Sequence, residues 1–231
     1  PHSGYCRLNH GTGVLLMDVG APRSCNSALA IEFSDGLHRI FINCGTPKST
    51  SRAWQKAAAD VAAHNTLEII GLSGKAKSPP VADVVSSPQG TLVSGQNSIP
   101  GRSAKISHER SVFLSQDGRD LRGEDRIVNL RAPGSSLMPL QYLLRFHLHP
   151  TVKILPSSKG GQVLLALPNR TSWMFSCKGG SMAVEESVFL GGEFGPRRTQ
   201  QIVIRGNTQN SASVIWALRR NSADAAPRRP S

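Results

Sequence analysis

The stretch Ala28-Leu29-Ala30-Ile31-Glu32-Phe33-Ser34-Asp35-Gly36-Leu37-His38-Arg39-Ile40-Phe41-Ile42-Asn43-Cys44-Gly45 decides how the rest of the chain reads. In an extended backbone Leu29, Ile31 and Phe33 share one side, and Ala30, Glu32 and Ser34 the other. Past Asp35-Gly36, His38, Ile40 and Ile42 alternate with Arg39, Phe41 and Asn43. Two runs of period two around Asp-Gly predict a β-hairpin, because these residues tolerate the positive φ of a tight turn. The second run is apolar on both sides, which predicts a strand between two layers rather than at an edge.

Upstream, residues 14–19 read as a buried strand, joined to the hairpin by a short polar connection over 23–27. Downstream, residues 53–63 carry Trp54, Ala57, Ala58 and Val61 at helical spacing, as a helix or as a loop with one helical turn. Residues 66–70 form a strand closed by Gly71. The Pro-, Ser- and Gly-rich residues 75–105 read as a mobile or poorly packed loop. A second hairpin is signalled by residues 111–115 and Asp117-Gly118, and a strand over 141–149 ends at Pro150. A third hairpin joins 162–167 to 171–175 through Pro168-Asn169-Arg170, and strands follow at 184–190, 200–205 and 213–218. About ten or more short strands between turn signals predict an all-β fold, an antiparallel β-sandwich with little helix. One domain is expected over residues 1–220, with 221–231 as a disordered tail.

The chain of 231 residues is ample for such a core, and no apolar run is long enough to cross a bilayer. No charged-then-apolar leader is visible, and Pro1-His2-Ser3 reads as a cut into a longer protein. Against 15 Asp and Glu stand 27 Lys and Arg, a net charge of +12 that favours polyanions: nucleic acid, anionic lipid or acidic polysaccharide. Part of that charge sits at Arg219, Arg220, Arg228 and Arg229 near the end of the chain. Cys6, Cys25, Cys44 and Cys177 form no Cys-x-x-Cys pair and read as buried free thiols.

Several segments, in this order, carry a resemblance: Gly4-Tyr5-Cys6-Arg7-Leu8, the 28–45 hairpin, Ala63-His64-Asn65-Thr66-Leu67, residues 110–126 ending Gly-Glu-Asp-Arg, Arg145-Phe146-His147-Leu148-His149-Pro150 and Gln200-Gln201-Ile202-Val203. Together they resemble the β-sheet domain of the heparinase II/III-like polysaccharide lyases. The resemblance implies β-elimination of acidic, uronic-acid-containing glycans of the heparin and heparan kind. It also implies a periplasmic or cell-envelope location and a partner, the α-helical toroid that precedes the β domain in that family. Nothing in this chain looks like the toroid, so the chain alone is expected to be inactive.

β-Elimination needs a group that neutralises the uronate, a base such as Tyr or His, and an acid for the leaving oxygen. The family's β domain typically offers a His-x-His pair before the hairpin, then an Asp and the His of a His-Asn-Thr motif; the first His faces substrate and the second helps hold a structural metal. Here Arg23, Cys25, Asn43 and His64 stand at those positions, and only His64 is unchanged. Cys25 and His64 are thus the candidate ligands for zinc, with packing and hydrogen bonding as the preferred reading because a closed zinc site takes four ligands. Arg23 is either a bidentate partner for a uronate or sulfate, or a solvated loop residue.

His147 and His149 lie two apart on one strand face, as a substrate-facing pair, half a metal site, or packed residues. Arg23, His147 and His149 are therefore the candidate substrate-binding residues. The neighbours Glu124 and Asp125 point to opposite faces, which argues against a shared catalytic role and for a turn or a surface salt link with Arg122 or Arg126. Trp173 and Trp216 sit in apolar strand patterns and read as core, while Trp54 remains able to stack on a sugar ring. A non-catalytic acidic-glycan-binding module is the rival reading. Nucleic-acid binding rests on charge alone, without a recognition motif, and ranks last. No membrane partner is expected.

Overall fold

The structure is a computed structural model that describes residues 3–20, 25–48, 51–72, 79–99, 106–131, 138–155 and 161–221. The expected hairpin is there. β1 (Tyr5–His10), β2 (Gly13–Asp18), β3 (Ile31–Asp35) and β4 (His38–Phe41) pair antiparallel in chain order. The turn between β3 and β4 holds Gly36 at φ 57, a left-handed backbone that glycine adopts without strain. The strand starts one turn later than the alternation implies. Leu29 precedes it at φ 60, and both Leu29 and Ala30 are buried. The Leu29 carbonyl accepts from Arg110 and its N–H donates to the Asp18 carbonyl, so the bend is fastened at both ends.

β4 closes its own sheet, and its outer edge is taken over by a second one. The helix α1 (Arg52–Ala59) and a 3-10 turn (Val61–Ala63) lead to β5 (Leu67–Ile69). β5 pairs with the first half of β10 (Gln141–His147), while β4 meets the chain just past its end through a Phe41–Leu148 bridge. Flanking bonds run from Ile42 N–H to the His147 carbonyl and from His149 N–H to the Ile40 carbonyl. With β14 (Ser181–Phe189) and β15 (Arg197–Asn207) the second sheet has the order β14-β15-β10-β5. The two four-stranded sheets therefore run into one another as one layer.

The other layer is an eight-stranded antiparallel sheet. It holds β6 (Val81–Ser87), β7 (Gly90–Ile99), β8 (Ile106–Ser115), β9 (Asp120–Asn129), β11 (Lys153–Leu155), β12 (Gln162–Ala166), β13 (Ser172–Lys178) and β16 (Ser213–Arg220). The expected loop over 75–105 is a correction: β6 and β7 pair in register from Val81–Gln96 to Ser87–Gly90. Its loop-like composition has a packing reason. A Cβ at Gly95 would crowd the Leu29 and Met17 side chains, so bulk from the opposite layer fills the space that β7 leaves. Residues 73–78 and 100–105 lie outside the described residues, as do 222–231 of the expected tail.

One hydrophobic cluster joins both layers. Phe33 meets Trp173 edge-on at 5.3 Å, and Phe146 contacts Phe175 at 5.1 Å and Trp216 at 4.9 Å. Trp173 and Trp216 are core, as their strand patterns imply. All four cysteines are free, but only Cys44 is buried.

Asp125 corrects the surface expectation. It is fully buried, accepting from Arg110 Nε and His108 Nε2 at 2.7 Å and from Trp216 Nε1 at 2.8 Å. Burial pushes its carboxyl up, but Arg110 and His108 outweigh that and hold it down at about 2.

Candidate functional site

The residues singled out before the hairpin do not assemble a reacting centre. Arg23 lies outside the described residues. Cys25 is half-buried, with its sulfur 3.2 Å from Ser27 Oγ, and Ser27 donates to Asp18 at 2.6 Å. Asn43 donates to Glu32 at 3.1 Å and accepts the Asn65 N–H at 2.8 Å, so its amide knits strands together. His64 is buried, and neither ring nitrogen closes a hydrogen bond among the described residues; its backbone N–H ends the 3-10 turn on the Val61 carbonyl. Burial holds its pKa below the usual value, against the opposing pull of Asp18 and Asp60. Among the described residues no group of three or more His, Cys, Asp or Glu is placed to hold a metal. Cys25 and His64, with an engaged amide as the third position, do not fit a closed four-ligand zinc site.

The neighbouring Asn65 and Thr66 are structural. Asn65 Nδ2 donates to the Ile31 carbonyl, its Oδ1 accepts the His147 N–H at 2.6 Å, and Thr66 Oγ1 donates to the Ala28 carbonyl. They tie the hairpin to β10.

Strand alternation splits β10 cleanly. Tyr142, Leu144, Phe146 and Leu148 face the core, while Arg145, His147 and His149 face away from it. The segment carrying α1 and the 3-10 turn folds over that outer face and buries His147. His147 Nε2 stands 3.0 Å from the Ala62 carbonyl, which can only accept, so Nε2 carries the proton. Nδ1 is then the lone-pair nitrogen and accepts the Ser187 hydroxyl at 2.7 Å, with the Cys44 sulfur at 3.6 Å. Burial, helped by Arg145 and His64 and opposed by the Ala62 carbonyl, depresses His147 to about 4. Burial also pushes the Cys44 thiol up to about 11. Both groups are uncharged at neutral pH.

Beside them opens a cleft of about 410 Å³. Ser187, Gln201 and His147 line its floor, Glu186 and Val188 its β14 side, and Trp54 and Ala57 the side of the helix. Further along the same face His149 packs against the Phe189 ring at 5.7 Å, and the Arg39 guanidinium lies 5.7 Å from the centre of that ring. Burial, then the charges of Arg39 and Arg197, depress His149 to about 4. Arg39 and Arg197 are exposed, so a cationic patch sits on solvent with a weakly basic imidazole near its charges.

The structure thus brings His147 and His149 onto one face but gives them different surroundings: one sealed in hydrogen bonds, the other half-exposed near arginines. The patch residues Arg39, Phe189 and Arg197 escape sequence reasoning because they come from three strands with no motif between them. The one signal was the alternation that puts Arg39 opposite Ile40 in the hairpin.

The family described as heparinase II/III-like, C-terminal, matches residues 1–217. The chain belongs to that family. A curated relative of this heparinase-like domain is the FtsZ-localized protein C of Caulobacter vibrioides, 24% identical over 248 residues that cover 94% of this chain and 42% of the relative. Among solved structures, the heparan sulfate lyase HepC of Pedobacter heparinus superposes with a TM-score of 0.75 at 11% identity, covering 97% of this chain and 36% of that one. A heparinase III with methylated lysines superposes with a TM-score of 0.76 at 15% identity, covering 96% and 35%. Identities this low show the shared fold. The heparinase-like chain spans about two fifths of the curated relative and about a third of the two lyases.

Proposed function

We propose that this chain is the β-sandwich half of a periplasmic or cell-envelope polysaccharide lyase that cleaves uronic-acid-containing, heparin- or heparan-like glycans by β-elimination. Its own part is to bind the acidic chain. The reacting groups come from a helical toroid on the N-terminal side. The observation that carries this is the open patch of Arg39 on β4, His149 just past β10 and Arg197 at the start of β15, in a chain of net charge +12. Guanidinium groups pair with carboxylate and sulfate oxygens through parallel N–H donors, and the neutral imidazole adds a donor without repelling them. His149, depressed to about 4, is too weakly basic to abstract a proton beside a carboxylate at neutral pH, so its part here is binding, while His147, with both ring nitrogens taken by the Ala62 carbonyl and the Ser187 hydroxyl, braces the face behind it.

The test has two arms. In affinity electrophoresis through heparan sulfate the chain alone is retarded and releases no unsaturated product. The protein with its N-terminal half generates unsaturated sugars, read as ultraviolet absorbance. Retardation without product from the longer protein would leave the non-catalytic glycan-binding module in place of the lyase.

A second reading is favoured by the Caulobacter relative, whose name ties it to FtsZ. On that reading the parent protein engages its glycan where FtsZ assembles. A fluorescent fusion should then lose its midcell band when FtsZ is depleted, and a uniform envelope signal in FtsZ-replete cells would reject it.

A further inference from the structure

The cleft beside the cationic patch has features that anion binding does not use. Gln201 donates from Nε2 to the Glu186 carbonyl at 3.2 Å, which fixes the amide orientation, since the flipped amide would set oxygen against oxygen. Its Oε1 is buried and accepts no hydrogen bond from any described group. A buried acceptor without a donor is costly, and because Gln201 is itself partly exposed on the cleft lining, a rotation of its side chain toward the cleft would bring that oxygen to an incoming hydroxyl.

Opposite stands Trp54, 39% exposed while the other two tryptophans are buried. It sits on α1, a helix that buries none of its residues and is held at its far end, where the Ala59 carbonyl accepts from Asn26 N–H and Asp60 caps the 3-10 turn. The indole therefore lines the cleft without serving the core. Ala57, Ala63, Val188 and Leu190 supply apolar walls, and a few placed polar groups among apolar ones are the ordinary composition of a small-molecule site. Glu186 meets the Gln201 amide through its backbone carbonyl, and no Lys or Arg is among the described residues lining the cleft, so the lining offers no cation to fix an anion here.

We propose that this cleft, between α1 and the outer face of β14 and β15, binds an uncharged, hydroxyl-bearing sugar ring, with Trp54 as the stacking platform and Gln201 Oε1 as the acceptor of a ring hydroxyl. The inference rests on the glycan-binding reading of this face and divides it into two subsites. His147, on the cleft floor, and His149, in the patch, are two residues apart, about 7 Å along an extended chain. One oligosaccharide can therefore place a neutral ring in the cleft and the carboxylate or sulfate of the next unit beside Arg39 and Arg197.

The experiment follows the emission of Trp54 while the purified chain is titrated with a heparan-type tetrasaccharide and, separately, with the uncharged tetramer of N-acetylglucosamine. Because Trp173 and Trp216 are buried, a change in emission on binding reports the cleft. Binding of either probe should alter the emission, and Trp54→Ala and Gln201→Leu should each weaken binding about tenfold. Trp54→Ala alters an exposed helix position, so its circular dichroism and melting should match the parent. The double variant Arg39→Ala/Arg197→Ala should lose the salt-dependent affinity for the acidic tetrasaccharide and keep the response to the neutral one. If the acidic probe binds with unchanged emission and Trp54→Ala binds it as tightly as the parent, the cleft assignment is overturned while the glycan reading stands. If the acidic probe does not bind at all, that reading falls, and the neutral probe still decides the cleft: quenching supports it and a flat titration overturns it.

Discussion

Two groups of polar side chains sit on facing sheets and teach opposite lessons. In the eight-stranded sheet Arg110, Asp125 and His108 are sealed inside the core, and Asp125 accepts from Arg110, His108 and Trp216. Where β4, the end of β10 and the start of β15 meet, Arg39 and His149 lie against the Phe189 ring and, with Arg197, reach solvent. The first group spends its charge on the fold: Arg110 spans to the Leu29 and Asn65 carbonyls at 2.6 Å and so fastens the bend that starts the central hairpin. The second group keeps its charge available. Cationic side chains can serve a ligand where the fold leaves them on solvent, as at Arg39 and Arg197, and not where it buries them, as at Arg110.

The largest expected effect breaks the buried group. Arg110→Met leaves Asp125 without its cation in the core and should lower unfolding free energy by about 3–5 kcal/mol in urea titrations. A loss below about 1 kcal/mol, the usual cost of an exposed pair such as Arg122–Asp120, would show that the cluster does not brace the fold. Next comes Gly123→Ala. A Cβ there falls inside the Trp216 indole, which donates to Asp125, so overpacking should cost about 1–3 kcal/mol by the same measurement. On the outer face, Arg39→Ala/Arg197→Ala should change stability by no more than about 0.5 kcal/mol per site, read as thermal melting, since neither arginine is buried.

Acid separates His147 from Asp125 by pH window. The folded-state pKa of His147 is depressed from 6.5 to about 4, so its contribution is complete above pH 6.5 and is lost as pH falls from 6.5 through 4. Asp125 is depressed from 3.8 to about 2, so its contribution persists to pH 3.8 and disappears only below that. Because His64, His108 and His149 are also depressed, His147→Gln should reduce the stability slope between pH 6.5 and 4 without abolishing it. An unchanged slope would show that His147 titrates alike in both states.

Much of the architecture was legible because period-two alternation and Asp-Gly turns report local geometry directly. The 28–45 hairpin, the turns at Gly36 and Gly118 and the core roles of Trp173 and Trp216 all follow from it. The β6–β7 hairpin was not legible, because the small side chain at Gly95 is explained only by Leu29 and Met17 across the core. Asp125 was misread for the same reason: cross-strand pairing with Arg110 is set by register between β8 and β9, not by its sequence neighbour Glu124. For the site, His147 and His149 were visible as an outward pair. The groups that tell them apart, Ala62 and Ser187 for one and Arg39 and Arg197 for the other, come from distant segments.

The most direct test of the central claim is isothermal titration of the chain with heparan sulfate oligosaccharide at two salt concentrations, for the parent and for Arg39→Ala/Arg197→Ala. The parent should bind with an affinity that falls as salt rises, and the double variant, melting at the parent's temperature, should bind at least about tenfold more weakly with a shallower salt dependence. Equal affinity and equal salt dependence in the two proteins would contradict the account.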